Sequence, residues 1–303
     1  MQHADIHHFK NISQLMRFMQ QPAPVHPLIA LVDYSQPGTR SFEKGTKISL
    51  DFYKISFKHH FAGQVKYGQG YYDFEEGGLA FLKPRQVVTS PNNIDSYEGY
   101  ALYFHPDFIR NYPLGNSITK FGFFSYATSE ALFLSAREKD IISNLFDAIS
   151  KELDNNTDQY SQDILVSQIE LLLNHSHRFY NRQFITRKII NHEIIAALDK
   201  LLDEYFDKDN ALHHGLPSVQ YISETLHVSP RYLGDLLRSL TGRNTQQYIQ
   251  DKVIELAKDL LGSTALTVAE IAYRMGFEHP QSFSKLFKSK LQQTPLEFRQ
   301  KFN

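Results

Sequence analysis

The chain contains no cysteine. That excludes disulfide staples, zinc-thiolate fingers and a thiol nucleophile, and it suits a reducing interior. It has no run of 18 apolar residues, and its opening MQHADIHHFK carries no apolar h-region. A soluble, cytoplasmic protein without membrane contact is expected. A large net charge is missing as well: the formal value is −1, which argues against a protein that coats nucleic acid indiscriminately. No Gly-rich phosphate loop, Ser-nucleophile elbow or paired-acid arrangement stands out, and Glu75-Glu76 reads as a hairpin tip. Histidine is the one candidate for metal chemistry, with 14 copies. The adjacent pairs His7-His8, His59-His60 and His213-His214 diverge on a strand or loop, however, and His175 and His177, two apart on a helix, cannot converge on one ion. The expectation is no cofactor, no metal and no catalytic residue.

What the sequence does have is one apolar pattern written twice. The first copy places Ile222, Leu226, Val228, Leu233, Leu236 and Leu237; the second places Ile271, Met275, Phe277, Phe283, Leu286 and Phe287. The first three pairs are offset by 49 residues and the last three by 50, so the second copy has one residue more in its turn. Each copy reads as a short helix, a tight turn and a second helix with apolar residues at i, i+3 and i+4, the signature of a helix-turn-helix. Gly276 stands at the corner of the second copy, where φ > 0 costs glycine nothing. His227 holds that place in the first. Ser229 with Pro230, and Pro280 after His279, mark the starts of the later helices. Opposite their apolar faces run polar stripes, Arg231, Asp235 and Arg238 in one helix and Gln281, Lys285 and Lys288 in the other. Such rows can lie along a groove: Arg and Lys suit guanine edges or phosphates and Gln suits adenine, whereas Asp235 repels phosphate and can only accept from a cytosine amine.

LHVSPRYLGDLLRSLTG (226–242), VAEIAYRMGFEHPQSFSKLFK (268–288) and TPLEFR (294–299) together resemble the DNA-binding domain of AraC-type transcription regulators. The resemblance covers about the last third of the chain. It implies two helix-turn-helix units joined by a long helix, roughly Thr245 to Leu261, with both recognition helices in successive major-groove segments of promoter DNA. The DNA-contacting set it implies is Arg231, Tyr232, Asp235, Arg238, His279, Gln281, Ser282, Lys285 and Lys288. The core of the two units is then Ile222, Leu226, Leu233, Ile271, Gly276, Phe277, Phe283 and Phe287. Gly234 and Asp235 fall where members often read bases, so the first unit is expected to discriminate less than the second. The absence of cysteine sets aside a Cys-based alkyl-transfer relative of this family.

Length and a 42% hydrophobic content allow two domains with folded cores. Charge is uneven, with 11 Lys and Arg against 8 Asp and Glu from Ser218 onward, and 5 against 1 from Gln281 onward. Leu28 to Tyr34, Ile48 to Phe57, Leu79 to Leu82 and Tyr97 to His105 read as strands. Turn signals separate them at Gln36-Pro37-Gly38, Glu75-Glu76-Gly77-Gly78 and Ser90-Pro91-Asn92-Asn93. GGLAFLK with PRQVVTSPNN, and FHPDF, resemble the cupin-like sensing domain of many AraC-type regulators. Tyr53, Tyr67, Tyr71, Tyr72 and Tyr103 are candidates for lining a ligand pocket or for ordinary core. Ser135 and Glu138 form a capping box ahead of a helix, and a second helix is expected over Asp158 to Gln183. The resemblance implies that such helices pack on the barrel and pair two protomers. Arg182 to Lys188 reads as a connection, and Asn191 to Phe206 as the first helix of the DNA-binding domain.

The expected fold is α+β: an N-terminal cupin-like antiparallel β-barrel followed by helices, and a C-terminal all-α domain with two helix-turn-helix units. The expected domains are 1–134 for sensing, 135–190 for helical dimerisation and linkage, and 191–303 for DNA binding. The expected function is sequence-specific, DNA-binding transcription regulation under a small effector, in a homodimer, with RNA polymerase as a further candidate partner. Two alternatives stay open, a cupin-type enzyme carrying a DNA-binding tail and a regulator whose barrel only dimerises.

Overall fold

A computed structural model describes residues 6–34, 42–43, 45–61, 64–67, 70–73, 77–89, 97–127, 130–155, 158–186 and 188–301, without the side chains of 60–61, 64–67, 70–73, 97–98 and 188–190. The chain divides into two compact units, 1–183 and 184–303. The expected turns at Gln36-Pro37-Gly38 and Ser90-Pro91-Asn92-Asn93, and the Glu75-Glu76 tip, lie outside the described residues.

The N-terminal unit begins with strand β1 (Ile6–Phe9) and helix α1 (Ile12–Phe18), whose start Asn11 caps by accepting from the Gln14 amide. Strands β2 (Ile29–Asp33), β3 (Lys47–Leu50), β4 (Tyr53–Phe61), β5 (Gln64–Tyr67), β6 (Gly70–Asp73), β7 (Gly78–Leu82), β8 (Val87–Thr89), β9 (Tyr97–Phe104) and β10 (Leu132–Phe133) follow. Short helices α2 (Pro106–Ile109) and α3 (Pro113–Ser117) and two 3-10 turns lie between β9 and β10. The strands form a five-stranded sheet in the order β10-β7-β4-β9-β2, a three-stranded sheet β1-β3-β8 and a hairpin β5-β6. Pairing is antiparallel except between β1 and β3, which run parallel.

Expected as one strand, Ile48 to Phe57 is broken at Asp51-Phe52 into β3 and β4, which belong to different sheets. The break lets the chain cross from one layer to the other, and Phe52 fills the corner with no exposed surface. One cluster joins the layers: Ile48 and Leu50 of the small sheet pack with Ala30, Val32, Ala101 and Tyr103 of the large one, and Ile12, Leu15 and Met16 of α1 pack beside them.

The other face of the large sheet is covered by helices. Helix α4 (Ala136–Asp154) starts at the Ser135–Glu138 capping box, and α5 (Ser161–Thr186) follows. Phe146 of α4 stacks on Phe57, centroids 5.4 Å apart, and on Tyr100 at 5.6 Å. Tyr180 of α5 stacks on Phe123 at 5.4 Å. The stretch Arg182 to Lys188, expected as a connection, is instead helical through Thr186 and helical again from Lys188. It contains no glycine or proline to interrupt the pattern.

The C-terminal unit is all helix: α6 (Lys188–Asp207), α7 (Asn210–His214), α8 (Val219–Thr225), α9 (Pro230–Thr241), α10 (Thr245–Ser263), α11 (Val268–Arg274), α12 (Pro280–Leu291) and α13 (Pro295–Arg299). Side chains cap most of these starts, namely Ser218, Ser229, Asn244, Thr267 and Thr294, the last three in reciprocal boxes with Gln247, Glu270 and Glu297. Gly242 ends α9 in the left-handed conformation. A ring sequence Phe277, Phe283, Phe287 and Phe298 runs from the turn between α11 and α12 through α12 to α13, with centroids 5.5–5.7 Å apart. Polar ties hold α10 in place: the Tyr248 hydroxyl donates to Asp199 at 2.8 Å, and Asp251 meets Lys290 at 2.7 Å.

Candidate nucleic-acid interface

The doubled pattern folds as two corners built alike. In the first, α8 ends at Leu226, His227 turns the chain at φ 57°, and Ser229 caps α9 by accepting from the Tyr232 amide. In the second, α11 ends at Met275, Gly276 turns at φ 83°, and α12 begins with Pro280 at its first turn. The matched amides, Val228 to Ser223 and Phe277 to Ala272, close both corners with the same backbone hydrogen bond at 3.0 Å. Ile222, Leu233, Ile271, Phe283 and Phe287 are fully buried, while Leu226 and Phe277 are partly so. These residues wedge each pair of helices at a fixed angle.

The outer faces of α9 and α12 differ in charge. On α12, Gln281, Ser282, Lys285 and Lys288 are all exposed, as is His279 just before the helix. They form an unpaired polar face: no ion pair or side-chain hydrogen bond links them to one another or to a neighbour among the described residues. On α9 the stripe is tied together. Asp235 accepts from Arg231 Nε at 3.0 Å and from Arg238 Nη1 at 2.8 Å, the i−4 and i+3 neighbours on its own helix. Asp235 is only 18% exposed, against 47% and 57% for the two arginines. Asp235 had been expected to face the groove as a reader or a repellent. Its carboxylate is instead committed to two guanidinium groups that stand above it. Tyr232, expected among the contacts, is 1% exposed and packs edge-on against Phe184 at 5.3 Å, so it serves the core. Gly234 beside Asp235 faces Thr245, whose Oγ1 lies 3.7 Å from where a Cβ would stand.

A second concentration of unusual side chains lies inside the N-terminal unit. Lys54, Ser56 and Lys58 alternate along β4 on the face turned toward the small sheet, the face shared in register by Tyr103 and Ala101 of β9 and by Leu82, Ala80 and Gly78 of β7. The Lys54 ammonium sits 5.6 Å from the centroid of the Tyr103 ring, and the Tyr103 and Tyr34 hydroxyls share a 2.9 Å hydrogen bond. Burial lowers the Lys54 pKa to about 8; burial and the nearby Lys54 charge lower Lys58 to about 7. Lysine in a strand reads as solvent-facing from sequence, which is why neither was singled out. Of the pocket candidates, Tyr103 lies on this inner face. Tyr53 points the other way, stacked on Phe104 at 5.0 Å under the helices. The side chains of Tyr67, Tyr71 and Tyr72 lie outside the described residues. Among the described residues no three His, Asp or Glu gather as a metal site, and no helix is long and apolar enough to cross a membrane.

A two-sheet domain followed by a double helix-turn-helix domain defines the class of this chain. Comparison with known proteins gives it a family. Residues 222–301 match a helix-turn-helix domain model, and residues 47–169 match the AraC-like ligand binding domain. Relatives include the HTH-type transcriptional activator RhaR of Yersinia pseudotuberculosis, 31% identical over 109 residues, 36% of this chain and 34% of that protein. Histidine kinase P4 of Formosa agariphila is 27% identical over 129 residues, 42% of this chain but 9% of that protein. The C-terminal domain of the response regulator yesN from Fusobacterium nucleatum is similar over 33% of this chain and 96% of that one, with 31% identity and a TM-score of 0.29. The chain thus spans about a third of the length of the first of these two curated relatives and less than a tenth of the second. It belongs to the AraC-type regulator family, with both an AraC-type helix-turn-helix domain and an AraC-like ligand-binding domain.

Proposed function

We propose that this protein is a sequence-specific transcription regulator and not an enzyme. Its C-terminal unit docks α9 and α12 in the major groove of promoter DNA, and a small effector bound in the N-terminal unit controls it. The observation that carries the reading is the exposed, unpaired face Gln281, Ser282, Lys285 and Lys288 on α12, set at a corner that a second, matching corner repeats. A helix held this way presents an adenine-suited amide and two cations to a groove. Arg231 and Arg238 on α9, held by Asp235, contact phosphates and position the first unit.

A single binding-site selection on three variants tests these roles. Gln281→Ala costs about 1–3 kcal/mol at the best site and relaxes preference at one base pair, while Lys288→Ala weakens every sequence and flattens the salt slope by about 1. Asp235→Ala releases both arginines and raises affinity on all sequences, most at low salt. Equal, sequence-independent losses for Gln281→Ala and Lys288→Ala would sink the assignment on α12. A preference altered at one C·G pair in Asp235→Ala would make Asp235 a cytosine reader after all.

The protein acts as a homodimer through α5. Ile164 and Leu171 stand seven residues apart on that helix, 41% and 47% exposed, with Tyr160 four residues ahead of Ile164 at 59%. Apolar side chains at three-and-four or seven-residue spacing form a seam that a second copy can match. Sedimentation of the intact protein should give twice the chain mass and Leu171→Glu the single mass; an unchanged assembly in that variant would place the contact elsewhere. Cytoplasmic location follows from this role at a promoter, and contact with RNA polymerase would come from a face that DNA leaves free.

A further inference from the structure

The fold encloses an amine that it does not bond. Facing β-sheets ordinarily fill the space between them with apolar side chains. Lys54 departs from that rule: its register partners are Leu82 of β7 and Tyr103 of β9, and Tyr103 belongs to the apolar cluster between the sheets. Among the described residues Lys54 makes no ion pair and no hydrogen bond, and its nitrogen stands 5.6 Å from the centroid of the Tyr103 ring. Lys58, the next lysine on that face, has further interactions of its own. Beside Lys54 the sheet carries little. The next inward residue is Ser56, flanked in register by Ala80 and Ala101, so a hydroxyl and two methyl groups form the floor there. Burial lowers the Lys54 pKa to about 8, yet the side chain keeps part of its surface accessible. A group both enclosed and accessible fronts on a hollow inside the unit. With that pKa about a tenth of the amine is neutral at pH 7, against roughly 0.04% for an ordinary lysine. The neutral form holds the lone pair that attacks a carbonyl carbon.

We propose that Lys54 is a covalent effector site, where its amine condenses with the aldehyde of a small apolar molecule to form a reversible imine. The body of that molecule lies over Ser56, Ala80 and Ala101, against the Tyr103 ring. The proposal rests on the reading that the N-terminal unit senses a small molecule, and it names the reacting group of that molecule. The nitrogen lone pair forms a bond to the carbonyl carbon while the C=O π pair moves to oxygen, and one proton passes from nitrogen to that oxygen. The resulting carbinolamine loses its hydroxyl together with the second N–H proton as water, which leaves a C=N bond. One amine and one aldehyde give one imine and one water, with no oxidant or reductant, and hydrolysis runs the same steps backwards. A buried ammonium is costly, whereas a neutral imine is less so, and the enclosure therefore favours the adduct. Leu82, the alanine methyls and the Tyr103 ring suit an aliphatic or aromatic body rather than a polyhydroxylated one.

The test treats the intact protein at neutral pH with hexanal and cyanoborohydride, which reduces an imine to a stable secondary amine. Peptide mass spectrometry then locates the added hexyl groups. Lys54 should be labelled more than about tenfold faster than the exposed Lys285 and Lys288. Without reductant, hexanal at about tenfold excess over Kd should raise the unfolding midpoint of the N-terminal unit by about 3–5 °C, and hexanol should not. Lys54→Met keeps the length of the side chain without the amine, and it should lose the hexanal shift. Labelling of Lys54 at the surface rate, or of Lys58 in its place, would overturn the imine whatever the variant does. Equal midpoint shifts from hexanal and hexanol, retained in Lys54→Met, would overturn it as well while leaving a domain that senses apolar molecules. Selective labelling of Lys54 that moves neither the midpoint nor operator affinity would overturn the sensing reading instead, leaving only a reactive amine.

Discussion

Gly276→Val should abolish operator binding while the N-terminal unit still unfolds as a separate, unshifted transition. Two independent costs meet at this residue. Its φ of 83° lies in the left-handed region, where a β-branched side chain is a genuine outlier. A Cβ there would also stand 2.7 Å from the carbonyl carbon of Gly215 and 2.9 Å from the nitrogen of Leu216, both backbone atoms that cannot swing away. Gly215 is held in turn, because its carbonyl accepts from the Tyr205 hydroxyl at 3.0 Å. Relief requires the α11–α12 corner to open, and α12 leaves the angle at which it reaches a groove. The strain alone is on the order of 1–3 kcal/mol, and the overlap adds to it. Circular dichroism across temperature with a gel-shift titration on the same sample checks both parts. Near-normal affinity would show that the corner does not set the recognition helix.

The reciprocal experiment strikes the other unit. Phe146→Ala should destabilise the N-terminal unit by about 3–5 kcal/mol and leave the C-terminal unit's transition where it was. Phe146 is fully buried and stacked between Phe57 and Tyr100, so truncation empties a space bounded by the large sheet below and α4 above. Both neighbours belong to strands paired on either side, which limits how far the site can collapse. Effector control should weaken in proportion, whereas binding of the ligand-free C-terminal unit to DNA should persist. A shift in both transitions together would mean that the two units unfold as one.

Local pattern made the C-terminal unit legible. Each corner is written within about 20 residues, with its cap, turn residue and apolar spacing, and the second writing confirms the first. What escaped was also local, since Arg231, Asp235 and Arg238 stand at i−4, i and i+3, the spacing of an ion-pair triplet on one turn of helix. Reading the stripe only as a face toward DNA hid the contacts within it. Tyr232 was likewise lost to the core because tyrosine suits both places. The N-terminal unit was harder for a different reason. Its large sheet is assembled from strands far apart in sequence, such as β4 with β9, and a crossing between sheets like Asp51-Phe52 carries no glycine or proline to announce it. Lys54 and Lys58 were not singled out because alternation alone cannot say which face is the inside.

The Asp235 bridge carries one more consequence, in conformational entropy. A free arginine side chain loses about 2 kcal/mol of rotamer freedom when a contact fixes it. Arg231 and Arg238 are restrained by the same carboxylate before any partner arrives, so part of that ordering is settled when the helix folds. Lys285 and Lys288 on α12 bring full freedom to the encounter and lose it there. The two halves of one duplicated pattern should therefore meet DNA with unlike heat signatures, the α9 side with little entropic penalty and the α12 side with most of it.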